Sequence, residues 1–165
     1  MFTCTSELVC LAWLKSSEGL EDIPAATNLP SEVANWTTSV FIQVSTSPLG
    51  LPPHQNFPFR GPRFLLKCWG RTPKCLSAAN QVAELIRSAT YAFDAARVVE
   101  IPPVISHGSV VNTYDTATVI LAQTMGEPSR VTGDPANLAR YDIPILLEYY
   151  PTHITISGVD VVYST

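Results

Sequence analysis

"RFLLKCWGRTPKCLSAANQVAELIRSATYA", residues 63–92, is the stretch from which the rest of the chain is read. Its opening carries Phe64, Leu65, Leu66, Cys68 and Trp69, the bulky apolar make-up of a strand over 63–71. Thr72 and Pro73 then mark a helix start, with the hydroxyl as N-cap and proline at the first helical position. Beyond them Leu76, Ala79, Val82, Ala83, Ile86 and Ala89 recur at helical spacing. A stripe built of such small residues lets a helix lie close on a sheet.

Upstream, "SVFIQVST" (39–46) is rich in β-branched and aromatic residues and predicts a second strand. Between the two strands lies "SPLGLPPHQNFPFRGP" (47–62), whose five prolines and two glycines argue against regular structure there. The pair is a hairpin with a long tip. Earlier still, Ser6 as N-cap, Glu7 in the first turn and Gly19 as a left-handed cap frame a helix over 7–18. Leu8, Val9, Leu11, Trp13 and Leu14 make it apolar almost all round, so it must be covered on more than one side.

Downstream, residues 93–117 read as an irregular apolar insertion. "TATVILAQTMG" (116–126) predicts a strand, and "YDIPILLEYY" (141–150) its antiparallel partner across the Gly133-Asp134-Pro135 loop. "THITISGVDVVYS" alternates polar and apolar residues and predicts a C-terminal strand or extension over 152–165. The sum is one α+β domain over 1–165, two main helices packed on a mainly antiparallel sheet with long Pro-rich loops.

Composition narrows function by exclusion. At 46% hydrophobic and 15% charged, the chain has the make-up of a packed domain rather than a disordered one. A formal net charge of -4, with scattered Lys and Arg, offers no basic stripe to neutralise phosphates. Cys4, Cys10, Cys68 and Cys75 fit no zinc spacing and read as free thiols. "LVCLAWL" (8–14) follows Glu7 rather than a cationic region, which favours a buried helix over a signal core and a soluble chain. No stretch approaches the roughly 20 apolar residues of a membrane span.

Catalytic motifs are hard to find. There is no phosphate-binding glycine loop, nucleophile elbow or zinc-helix motif, and His54, His107 and His153 are far apart in sequence. Asp134, ahead of Pro135, suits a turn better than catalysis, and the adjacent Ser106 and His107 would point apart. The expectation is therefore no enzyme, no cofactor and no metal. A small enzyme or ligand-binding domain using His107 and Asp134 is the alternative from another class. Contact chemistry is better represented. Leu49, Leu51, Phe57, Phe59 and Arg60 stand on the proline-stiffened tip, and Arg130, Asp134, Arg140 and Tyr141 surround the later loop; these nine are the interface candidates.

The order of these features resembles the tail terminator proteins of long-tailed (siphovirus-type) bacteriophages, the minor tail protein U family of phage lambda. The likeness rests on "AWLKSSEGL", "VFIQV", the Pro/Gly hairpin, "KCWG" leading into "AANQVAELIRSA", and the late "GDPANLARYDIPILLEYY". It covers 7–92 and about 126–151, leaving 93–117 and the segment after Pro151 unplaced. The resemblance implies a structural virion protein at the head-proximal end of the tail, assembled in the host cytoplasm. Such proteins form a hexameric ring that stops tube growth and offers the surface for head joining. Its partners would be other copies of itself, the tail tube protein and a head-completion or neck protein, with DNA passing unbound through the pore. Another neck or connector component is the alternative within this class.

Overall fold

The computed structural model describes residues 6–32, 36, 38–51, 59–102, 105–110, 116–133, 138–151, 153–156 and 159–162. In chain order the elements begin with helix α1 (Ser6–Lys15) and strands β1 (Ala25–Ala26), β2 (Val40–Leu51) and β3 (Gly61–Gly70). Helix α2 (Leu76–Tyr91), β4 (Arg97–Glu100), the short β5 (Ile105–Ser106) and β6 (Ser109–Val110), and β7 (Thr116–Thr124) follow. The chain closes with β8 (Ser129–Arg130), β9 (Ala139–Pro151), β10 (His153–Ile156) and β11 (Val159–Val162).

Alternation along the strands builds one sheet, ordered β1-β2-β3-β9-β7-β4, with β8 paired to the start of β9. Among the described residues only the two-residue β1–β2 pairing is parallel. The register stacks like on like: Val44 lies opposite Leu66 and Leu66 opposite Ile143, while Phe64 lies opposite Ile145. With Ile42, Cys68, Leu147 and Tyr149 these residues form a buried inner face. Helix α2 presses Ala79, Val82, Ala83, Ile86 and Ala89 onto it, the stripe expected from the sequence. The α+β arrangement, two helices on a mainly antiparallel sheet, is the observed fold.

Helix α1 supplies Val9, Cys10, Ala12, Trp13 and Leu14 to the same core. It touches β1 and β2 at one margin of the sheet and β4 at the other, so the sheet curls around it. That is how a helix apolar on nearly every side is covered. The helix stops at Lys15, short of the expected 18. The hydroxyls of Ser16 and Ser17 both donate to the Trp13 carbonyl (3.0 and 2.7 Å), a local bond that competes with further helix. Gly19, at φ +80, then takes the left-handed turn that brings Leu20 back into the core.

Several expectations are corrected. Thr72 makes no helix cap: Pro73–Cys75 is a 3-10 turn and α2 begins only at Leu76. Strand β2 does not stop at Thr46 but reaches Leu51, opposite Gly61, through a bulge after Ser47. The proline and glycine of that stretch are tolerated because, among the described residues, β1 pairs with β2 only at Ile42 and Gln43, so no strand ladder runs beside Pro48 and Gly50 on that edge. The 93–117 stretch is not wholly irregular, since β4 pairs antiparallel with β7 and buries Val99, and Ile101 just after it also joins the core. Within the C-terminal segment, expected as a strand or extension, β10 pairs antiparallel with β11 in a two-stranded sheet apart from the main one.

Two irregularities keep the sheet consistent. A bulge between Val119 and Leu121 shifts the alternation, so that Ala117, Val119 and Ala122 all reach the core. Pro144 sits in the middle of β9, where a proline would ordinarily break a ladder. It falls between the β8 pairing at Tyr141 and Asp142 and the β7 pairing that begins at Ile145. Its carbonyl still accepts from Met125 N at 2.8 Å. The missing N–H therefore lies where one partner strand gives way to the next.

Candidate interface

The outer face of the sheet holds a second, smaller apolar cluster, Trp36, Phe41 and Trp69. Cross-strand register places Phe41 beside Trp69 and Trp69 beside Arg140. The Arg140 guanidinium lies over the Trp69 ring, 5.0 Å from its centroid. It also meets Asp142 through two parallel bonds, Nε to Oδ1 and a terminal nitrogen to Oδ2, each 2.7 Å. Asp142 is buried, and this bidentate geometry offsets the cost of desolvating it. Trp69 in turn donates to Gln43 Oε1 at 3.1 Å.

Arg140 is therefore held by its own sheet, and Tyr141, on the opposite face, packs against the inner core. Both lie between β3 and β8 rather than at a sheet margin. Arg130 is exposed on β8, opposite Tyr141. At the far end of β9, Arg60 exchanges main-chain bonds with Tyr149 in both directions (2.8 and 2.9 Å) while the residue itself stays exposed. Phe59 folds back edge-on to Tyr150, with ring centroids 5.4 Å apart. Leu51 closes the hairpin ladder opposite Gly61, and Leu49 lies in the same strand. Phe57 and Asp134, like His54, fall outside the described residues. The candidates thus form two groups, Arg130/Arg140/Tyr141 and Phe59/Arg60, separated along β9 by roughly 30 Å of extended chain.

His107 occupies the exposed turn between β5 and β6 at φ 50. Among the described residues no three His, Cys, Asp or Glu side chains are grouped to hold a metal ion, and no helix is long and apolar enough to cross a membrane. Cys10 and Cys68 are buried free thiols; burial pushes both well above the usual thiol range, with Glu7 and Asp142 adding to the effect. Cys75 is the opposite case: a hydrogen bond with the Thr72 hydroxyl (3.4 Å) draws its thiol below the usual range.

The structure adds features that the sequence did not mark. Arg97, on β4, locks the end of α1. Its terminal nitrogen donates to the Trp13 carbonyl at 2.8 Å and to Ser17 Oγ at 2.7 Å, and its guanidinium lies 5.4 Å from the Trp13 ring centroid. The buried Trp13 indole donates back to the Ala95 carbonyl at 3.0 Å. Beside this clamp a groove of about 900 Å³ opens where β1 and β4 approach one another across α1, floored by Leu11, Ile23 and Val99. Large apolar side chains stand exposed nearby in the chain: Tyr91 at 72%, Phe93 at 107% and Val98 at 60%. No protein-family model and no curated protein sequence matches the chain.

Proposed function

We propose that the chain is a structural subunit that caps the end of a phage tail tube as a ring, stops tube growth and presents the surface for head joining. The observation that carries this reading is the pair of unlike sheet margins. At one, β2 runs well past its short pairing with β1; at the other, β4 pairs only with β7 among the described residues. Two different margins on one molecule suit head-to-tail contact, the kind that closes into rings. The exposed Tyr91, Phe93 and Val98 supply apolar contact area, and the net charge of -4 suits a pore through which DNA slides unheld. The element order that resembles tail terminators supports the same role. Its work is contact, not catalysis.

The deciding experiment is electron microscopy of lysates from a phage lacking the gene. Abnormally long tails are the expected result. Normal tails beside unjoined heads would replace the cap with a neck or connector role, and intact particles would end both readings.

A further inference from the structure

We propose that the groove between α1 and β4 of one copy receives the exposed turn at residues 71–74 of the next. The pairing rests on the ring reading and names two surfaces that meet in it. The groove is lined by Glu21, Asp22 and Glu100 against one cation, Lys15, a formal charge of -2 (three carboxylates, one ammonium). All four are exposed residues around the apolar floor of Leu11, Ile23 and Val99. The turn is its electrostatic opposite. Arg71 and Lys74 flank Thr72 and Pro73, and all four of these residues are exposed. No acid lies near the turn in the chain, since no Asp or Glu stands between Glu32 and Glu84. Among the described residues, neither the groove's charges nor the turn's are held in an ion pair.

The shape of the turn is set before any contact is made. Arg71 N donates to the Ser39 carbonyl at 2.8 Å, which holds the turn at the end of its own sheet. Cys75 N closes the 3-10 turn on the Thr72 carbonyl at 2.9 Å, and Pro73 narrows the unbound conformations further. A preordered turn entering a preformed groove loses little freedom on binding. The two surfaces also match in layout. Uncharged Thr72 and Pro73 stand between two cations, as the apolar floor lies between Glu21 and Asp22, which lead towards β1, and Glu100, which ends β4. Thr72 and Pro73 can therefore meet the floor while the guanidinium and ammonium reach the carboxylates on either side. About 900 Å³ is the size of a cleft for a drug-sized ligand, room enough for the tip of a turn. Opposite charges steer the approach, and like charges reject the pairing of groove with groove or turn with turn. Each copy offers one surface of each kind, so the contact propagates head to tail.

The test is a charge swap read by association, both by sedimentation in solution and by occupancy of purified tail-tube ends. One variant reverses the groove (Glu21→Lys, Glu100→Lys); another reverses the turn (Arg71→Glu, Lys74→Glu). A third chain carries all four substitutions, which leaves the net charge at -4. Circular dichroism melts check that each folds, and Glu100→Lys or Lys74→Glu alone serves where a double variant melts early. The groove and turn variants are each expected to associate about tenfold more weakly than the wild type in low salt. The combined variant recovers association, because its turn and groove are again of opposite sign. Folded groove or turn variants that assemble like the wild type, or a combined variant no stronger than its parents, overturn the groove assignment and leave the ring standing. A wild type that is monomeric in solution and absent from tube ends removes both.

Discussion

Replacing Arg97 by alanine should destabilise the fold by about 2 kcal/mol, and the structure shows where that comes from. Of its side-chain bonds, those to Ser16 Oγ (3.0 Å) and the Asp94 carbonyl (2.8 Å) are solvent-exposed and contribute little. The two that matter reach the Trp13 carbonyl and Ser17 Oγ, both partly buried. Hydrogen bonds from a charged donor are worth about 1.5–3 kcal/mol each, but the Trp13 carbonyl keeps its bonds from Ser16 and Ser17, so about 1 kcal/mol apiece is the fair figure. Loss of the cation over the Trp13 ring adds about 0.5–1 kcal/mol. Against this, burial already disfavours the charged guanidinium and draws its pKa down, so truncation recovers some desolvation cost. The assay is equilibrium urea unfolding. With a slope of about 2 kcal/mol/M, the midpoint should fall by about 1 M. Arg97→Lys, which keeps the charge and loses the planar fork, should lie between alanine and wild type. A midpoint for Arg97→Ala within about 0.2 M of wild type, the range of an ordinary surface change, would refute the clamp.

Two further outcomes follow from local geometry. A Cβ added at Gly70 would stand 2.9 Å from both the Cβ and the carbonyl oxygen of Cys75 and 3.0 Å from Ala139 Cβ. Gly70→Ala should therefore cost about 1–3 kcal/mol, read as a lower melting temperature, and an unchanged melt would contradict the packing. The thiols should separate in a Cys4→Ser background: maleimide labels Cys75 alone in the folded protein, with a half-rate pH below that of an ordinary thiol, and Thr72→Val raises it. Cys10 and Cys68 should react only on unfolding. Their folded pKa values lie above the unfolded one, so their contribution to stability is full below about pH 8.5 and is lost as pH rises beyond it. The loss is about 1.4 kcal/mol per pH unit per thiol, and Cys68→Ala should reduce the slope.

The elements that could be read from sequence are those whose pattern is carried by local spacing. Helix α2 is legible because Ala79, Val82, Ala83 and Ile86 fall on one face whatever packs against them. The 141–150 strand is legible despite Pro144, because its apolar run is long enough to outweigh one missing donor. Strand β4 was hidden, since Arg97-Val98-Val99-Glu100 is too short to show a period and two prolines follow it. The end of β2 was hidden for a different reason: Pro48 and Gly50 argue against a strand unless one knows that β1, its outer neighbour among the described residues, pairs only further back, at Ile42 and Gln43. The candidate site suffers most. Arg140 stood out in the sequence, yet what it meets, Trp69 and Asp142, depends on a register that only the assembled sheet defines. The groove joins residues near 11–25 with residues near 98–102, a proximity no window of sequence contains.

The helix that the sheet curls around has a consequence for how the chain acquires its structure. Trp13 and the arginine that locks it are 84 residues apart. On a ribosome, α1 is made before every strand that will cover it. Its tryptophan and leucines have no lasting cover until β4 has been synthesised and has found β7, whose own partner β9 comes later still. Closing a loop that long costs entropy before any contact repays it, so α1 docks late although it is made early. During that interval the chain carries an apolar helix with nothing to cover it. Holding that segment until β9 emerges is the step at which a nascent chain of this fold most needs protection from aggregation.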